Sequence, residues 1–280
     1  MRAKFAHILL LLAPFSAAAA DRGVTTFCDT KRALNASATA PLVPALLPTL
    51  ISSLHCSGLR VPLLPTLRRP AEYSAAYNAT LEWAARAQLA IYASPMEGAW
   101  RAVAASEAAY AAWVAAYAAA FRPSHLSVFN EVSDADCDGG CKERVVVAVR
   151  RALAPPLPLF VGPDSEHVSA SVAAVEGRPN HFAVFDILSS HNAGGDASNT
   201  PGVWAKLVAL AGGRPVWSSE NPACFALPSC TQYGTMGVAL GANVSAVVAW
   251  NALGDDVAFD GNVTAKGADI AAGWRRQRRS

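Results

Sequence analysis

The chain has 280 residues, a formal net charge of +2 at neutral pH, 52% hydrophobic residues and only 16% charged ones. That composition excludes a disordered chain and supplies apolar side chains for one large core. So small a net charge gives no electrostatic case for nucleic-acid binding, and the terminal Arg275-Arg276-Gln277-Arg278-Arg279 cluster reads as a solvated tail.

The first segment reads as a secretory signal. Arg2 and Lys4 form a basic start, Phe5 to Phe15 a short apolar run, and Ala17 to Ala20 a small-residue cleavage region before Asp21. Residues 1–20 are therefore expected to be removed, leaving 21–280 as one secreted domain. The apolar run is too short for a stable membrane span. Six cysteines follow, an even number that suits disulfides in an oxidising compartment. Nearest neighbours suggest Cys28–Cys56, Cys137–Cys141 and Cys224–Cys230, among about fifteen possible connectivities. Sequons at Asn35, Asn78, Asn243 and Asn262 fit a glycosylated surface.

Strand-like runs recur roughly every 30 residues, the length of a βα unit. They are Val24–Cys28, Leu59–Leu64, Gln88–Ala93, His125–Asn130, Leu157–Val161, Phe182–Ser189, Pro215–Ser218 and Ser245–Trp250. Helix-like stretches lie between them: Val43–Leu54, Tyr73–Ala87, Cys141–Ala154, Ser165–Val175, Val203–Ala211 and Gln232–Leu240. Trp100 to Phe121 has its large residues at helical spacing on an alanine base, and reads as a core helix rather than a membrane span. Eight alternating units argue for an α/β fold, a closed (β/α)8 TIM barrel in a single domain. A doubly wound sheet would be expected to carry a glycine-rich phosphate turn, and no G-x-G-x-x-G or G-x-x-x-x-G-K occurs.

In such a barrel the C-terminal strand tips form the active face. Those tips carry Arg60, Asn130-Glu131, Gly162-Pro163-Asp164, Ser190-His191-Asn192, Glu220 and Trp250-Asn251. Two glutamates stand out, each closing a short apolar run. Paired carboxylates across a pocket are what cleavage of a glycosidic bond needs: one donates a proton to the leaving oxygen and the other attacks the anomeric carbon. Other motifs fall short. Asp134-x-Asp136-x-Asp138-Gly139 begins like a calcium loop, but its twelfth position is Val145. No H-E-x-x-H or G-x-S-x-G is present.

The order of tips resembles the cellulase-like clan A of retaining glycoside hydrolases. Members carry Asn-Glu at strand four, with Glu as acid/base, and a nucleophilic Glu at strand seven. Many add an Arg on strand two, a His or Tyr near strand six and a Trp on strand eight. The resemblance implies acid/base Glu131 and nucleophile Glu220, with Arg60, Asn130, His191, Trp250 and Asn251 around the substrate. Asn130 would bond the sugar 2-hydroxyl and Trp250 would form an apolar floor for a sugar face. Glu131 would start protonated, against an apolar wall and a neighbouring negative charge. Val132 stands where many members have Pro. The implied protein is a secreted, monomeric, metal-independent and cofactor-free hydrolase of a β-linked polysaccharide or oligosaccharide, with an endo-β-glucanase the first expectation. Its rivals are a non-catalytic carbohydrate-binding barrel and a transglycosylase using the same glutamates.

Overall fold

A computed structural model describes residues 25–35, 43–54, 56–64, 75–192, 197–222 and 238–250. Eight strands pair in chain order into a closed, all-parallel barrel. They are β1 (Thr25–Asp29), β2 (Gly58–Leu63), β3 (Ala90–Pro95), β4 (His125–Ser127), β5 (Leu159–Ser165), β6 (Ile187–His191), β7 (Val216–Pro222) and β8 (Ala246–Trp250). The helices are α1 (Lys31–Asn35), α2 (Val43–Leu54), α3 (Ala75–Arg86), α4 (Ala99–Val103), α5 (Glu107–Phe121), α6 (Gly139–Ala152), α7 (Val168–Gly177) and α8 (Pro201–Leu210). The protein is thus a single-domain (β/α)8 barrel.

Two apolar layers hold the frame. Phe27, Tyr92, Val161, Ile187, Trp217 and Val248 fill the barrel interior. Gly58 is needed there, because any Cβ at that position would overlap the Phe27 ring. Outside the sheet, Tyr77, Tyr110, Val114, Tyr117, Phe129 and Trp204 pack strands against helices. Buried tyrosine hydroxyls fix helices to strand ends: Tyr77 donates to Pro62 O at 2.9 Å and Tyr110 to Val128 O at 2.8 Å. Side-chain caps start three helices. Ser106 accepts from Ala109 N, Asp138 from Cys141 N and Thr200 from Val203 N.

All eight expected strands are present, with revised ends. β4 is short because the chain turns after Ser127, whose Oγ donates to Phe129 O at 2.6 Å, and Glu131 then takes a left-handed φ of 57°. β6 starts at Ile187, since Pro179–Val184 forms a 3-10 turn. β5 and β7 run further than their apolar cores, to Ser165 and Pro222, so Glu220 lies inside a strand. The expected helix from Trp100 to Phe121 is two helices. Ser106 interrupts it by serving as the cap of α5.

The disulfides Cys28–Cys56 and Cys137–Cys141 are formed, the first joining β1 to the segment before β2 and the second pinning the start of α6. Cys224 and Cys230 lie outside the described residues, as does Asn262, while Asn35, Asn78 and Asn243 are exposed. The calcium-like loop is used otherwise. Asp134 pairs with Lys142 at 2.8 Å, Asp136 with Arg101 at 3.1 Å and Asp138 with Arg178 at 2.9 Å. Each carboxylate already has a cation. Among the described residues no helix is long and apolar enough to cross a membrane.

Candidate active site

Parallel strands deliver their last residues to one rim. Arg60, the third residue of β2 and level with Asp29 at the end of β1, is fully buried. Its Nη1 donates to Asp29 Oδ2 at 3.0 Å and to Glu220 Oε2; its Nη2 donates to Ser94 Oγ at 3.0 Å and Asn130 Oδ1 at 2.9 Å. The guanidinium also lies 5.4 Å from the Tyr92 ring centroid, a cation–π distance. One planar fork thus ties the tips of β1, β3 and β7 to the segment after β4. A guanidinium suits this task because its five donors sit in fixed directions.

The two glutamates stand at the same end of the barrel. His191, at the tip of β6, has its Nδ1 2.8 Å from Glu131 Oε1 and 3.7 Å from Glu220 Oε2. One oxygen of each carboxylate and the imidazole nitrogen lie within 4.8 Å of one another. Their settings differ. Glu220 has a side chain only 9% exposed, between Arg60 and Lys31, whereas that of Glu131 is 24% exposed. Burial alone would raise the pKa of Glu220. The charges of His191, Arg60 and Lys31 and the Arg60 hydrogen bond overcome it and hold the carboxyl well below its ordinary value. Glu131 meets the His191 imidazole and lines a concavity together with Trp100 and Val132.

Backbone strain marks the same place. Glu131 and Asp164 both have left-handed φ, 57° and 54°. Such non-glycine conformations cost of order 1–3 kcal/mol and persist where surroundings enforce them. Here Glu131 N donates to Asp164 O at 2.9 Å. The fully buried Asp164 carboxylate accepts Tyr92 Oη at 2.6 Å and both Ser189 Oγ and Ser219 Oγ at 2.5 Å. Burial would raise its pKa, but the charges of His191 and Arg60 and the hydroxyls of Ser127 and Ser189 lower it. This network beneath the rim anchors the turn that carries Glu131.

Two concavities meet at Glu131. One of about 160 Å³ is lined by Glu97, Trp100, Arg101 and Asp136, the other of about 420 Å³ by Asp134, Lys142, Ser165, Glu166 and His167. Among the described residues, Asn130 Nδ2 and His191 Nε2 are buried without a hydrogen-bond partner. Glu131, His191 and Glu220 are close enough to offer three metal-ligand atoms. A cation there would face Arg60 and Lys31, and Glu220 Oε2 is already engaged by Arg60, so the donor set fits a metal poorly.

Of the seven side chains expected at the site, Glu131, Glu220, Arg60, Asn130 and His191 converge. Trp250 is the last residue of β8, and its side chain, like Asn251, lies outside what is described. Asp29, Lys31 and Ser94 were missed. For Asp29 a signal was present, a carboxylate closing the apolar Phe27-Cys28 run; Lys31, two residues on, reads as an ordinary surface lysine. Ser94 follows Tyr92-Ala93 without any distinguishing pattern.

No protein family and no curated protein matches this chain. Solved structures match in fold. The chain is similar to a GH113 β-1,4-mannanase, with a TM-score of 0.52 and 12% identity over 90% of this chain and 98% of that one. It is similar to the GH113 β-mannanase of Alicyclobacillus acidocaldarius, with a TM-score of 0.51 and 12% identity over 90% and 97%. The β-mannanase of Streptomyces thermolilacinus, solved with mannohexaose, has a TM-score of 0.57 and 12% identity over 81% and 78%. At this identity the likeness is one of fold, and it agrees with the closed barrel over nearly the full length of two of these enzymes.

Proposed function

We propose that the protein is a retaining glycoside hydrolase of a β-linked glycan, with Glu220 as nucleophile and Glu131 as acid/base. The observation that carries this reading is the asymmetry of the two close carboxylates. Glu220 is buried between two cations, which favours a fixed negative charge. Glu131 is partly exposed beside a histidine, where a proton can be exchanged with solvent and leaving group. Carboxyl groups roughly 5–5.5 Å apart serve the retaining route, while about 6.5–9.5 Å leaves room for the inverting water. The 4.8 Å spread of oxygens and imidazole nitrogen favours the former.

In the first step Glu131 gives its proton to the glycosidic oxygen and a Glu220 oxygen bonds to the anomeric carbon, releasing the aglycone alcohol. In the second, Glu131 takes a proton from water, whose oxygen displaces Glu220 with a second inversion. Asn130 Nδ2, buried and unpartnered among the described residues, would donate to the sugar 2-hydroxyl, a contact that strengthens in the transition state. The names of the structural neighbours move β-1,4-mannan ahead of β-glucan as the first substrate to try.

The test is product analysis on soluble β-mannan, β-glucan and xylan, with the anomer followed by NMR during the first minutes. The reading expects initial release of the β-anomer, lost in Glu220→Gln. Initial release of the α-anomer would mean inversion. Absence of cleavage across a broad panel would favour a carbohydrate-binding barrel.

A further inference from the structure

Lys31 opens α1, yet its side chain turns into the mouth of the barrel and is only 3% exposed. Nζ lies 3.0 Å from Asn130 Oδ1 and 3.7 Å from Glu220 Oε2. Burial, and then the charge of nearby Arg60, pull its pKa below the ordinary 10.5. Burying an ammonium is strongly unfavourable unless close partners compensate for the lost water. An apolar side chain of the same length would fill the space with less penalty, so the charge calls for a reason.

Charge balance supplies one. Arg60 divides its guanidinium between two carboxylates, Asp29 and Glu220. One cation against two anions leaves an excess negative charge, and Lys31 removes it. Asp29 joins the two elements, because its Oδ1 accepts Lys31 N at 2.7 Å while its Oδ2 accepts Arg60. The second reason is directional. Asn130 Oδ1 accepts from both Lys31 Nζ and Arg60 Nη2. Both lone pairs of that oxygen therefore face cations. The amide is fixed with Nδ2 on its other side, where it is buried and has no acceptor among the described residues.

We propose that Lys31 is a positioning residue, which supplies the second fixed positive charge at Glu220 and locks the Asn130 amide with its NH2 group toward the substrate. This rests on the reading of Glu220 as the attacking carboxylate. The resulting site has two carboxylates, Asp29 and Glu220, balanced by two cations, Lys31 and Arg60.

Lys31→Met keeps the stem and removes the charge. The charged and titratable groups facing the Lys31–Glu220 pair are Asp29 from β1, Arg60 from β2, Glu131 after β4 and His191 from β6, none of which the variant replaces. Carbon-13 labelling of glutamate carboxyls reports each titration by NMR, and the Glu220 signal is the one absent in Glu220→Gln. The Glu220 midpoint is expected to rise by about one pH unit or more in Lys31→Met. The acid limb of kcat/KM on an activated aryl β-glycoside should rise with it, and kcat should fall about tenfold or more. A folded Lys31→Met with an unmoved Glu220 midpoint overturns the proposal. A fold that does not survive Lys31→Met leaves the reciprocal measurement. In Glu220→Gln the Lys31 ε-carbon should titrate at lower pH than in the parent protein, and an unchanged midpoint again overturns the proposal. A parent protein that cleaves no β-glycan contradicts the enzymatic reading alone, since both NMR midpoints still decide the role of Lys31.

Discussion

His191 presents one ring nitrogen to Glu131, Nδ1 standing 2.8 Å from Oε1, and the same nitrogen is 3.7 Å from Glu220 Oε2. An imidazole so placed touches Glu131, the proposed acid/base, and faces Glu220, the proposed nucleophile, at once. His191→Ala should therefore act through proton transfer. We expect kcat on natural glycans to fall by about 10- to 100-fold, less than the roughly 100- to 10,000-fold worth of an acid–base group itself, because His191 acts through Glu131. Aryl glycosides that leave without a proton should lose much less. Steady-state kinetics on a leaving-group series will show this as a steeper dependence on leaving-group pKa. An equal loss on all substrates would assign His191 to substrate binding.

Arg60→Met removes the guanidinium that Asp29, Glu220, Asn130 and Ser94 share. Truncating one partner of a buried ion pair costs about 3–5 kcal/mol, because the remaining charge stays buried. Urea denaturation should register a loss of that order. Arg60→Lys should recover the charge but not the planar fork, and should fall between the parent and Arg60→Met.

The depressed pKa of Glu220 carries a stability signature. Its folded value lies below its ordinary 4.5, so the native state favours the ionised form. For a depressed carboxylate the contribution is fully present above the unfolded value and is lost as pH falls toward the folded one. Glu220→Gln should therefore be less stable than the parent at pH 7. The gap should close progressively as pH drops below about 4.5. Thermal melts of both proteins from pH 7 to pH 3 measure it, and a gap independent of pH would contradict the assignment of charge at Glu220.

The two disulfides differ in the length of chain they close. Cys28–Cys56 spans 28 residues and Cys137–Cys141 spans 4. Loop-closure entropy gives about 3–4 kcal/mol for the first and about 2 kcal/mol for the second. Paired Cys→Ser variants should show that order in denaturant midpoints. Peptide mapping without reduction should also find Cys224 joined to Cys230.

The barrel was legible because eight apolar runs repeat at βα spacing, and parallel strands covered on both faces read as continuous Val, Ile and Phe segments. Glu131 and Glu220 were legible because each closes such a run. The ends of β4 and β7 were not: the buried apolar run continues through Val128 and Phe129 past the end of β4, where a local Ser127–Phe129 hydrogen bond turns the chain, and the extra rungs of β7 are tertiary matters. Lys31 was hidden for a related reason. A lysine after a strand ordinarily lies on a solvated surface, and only closing β1 against β2, with the segment after β4 and β7 alongside, buries this one against Asn130 and Glu220. Tyr92 and Ser94 belong to a strand whose inward residues look like any barrel filling.

The assignment of Glu220 as nucleophile and Glu131 as acid/base is tested most directly by trapping the covalent intermediate. An activated 2-deoxy-2-fluoro β-glycoside slows both steps, so the glycosyl-enzyme accumulates and can be located by peptide mass spectrometry. The account expects one label per chain, on Glu220, and expects Glu131→Ala to hold the same label until azide releases it as the β-glycosyl azide. A label on Glu131, with Glu220 unmodified, would contradict it.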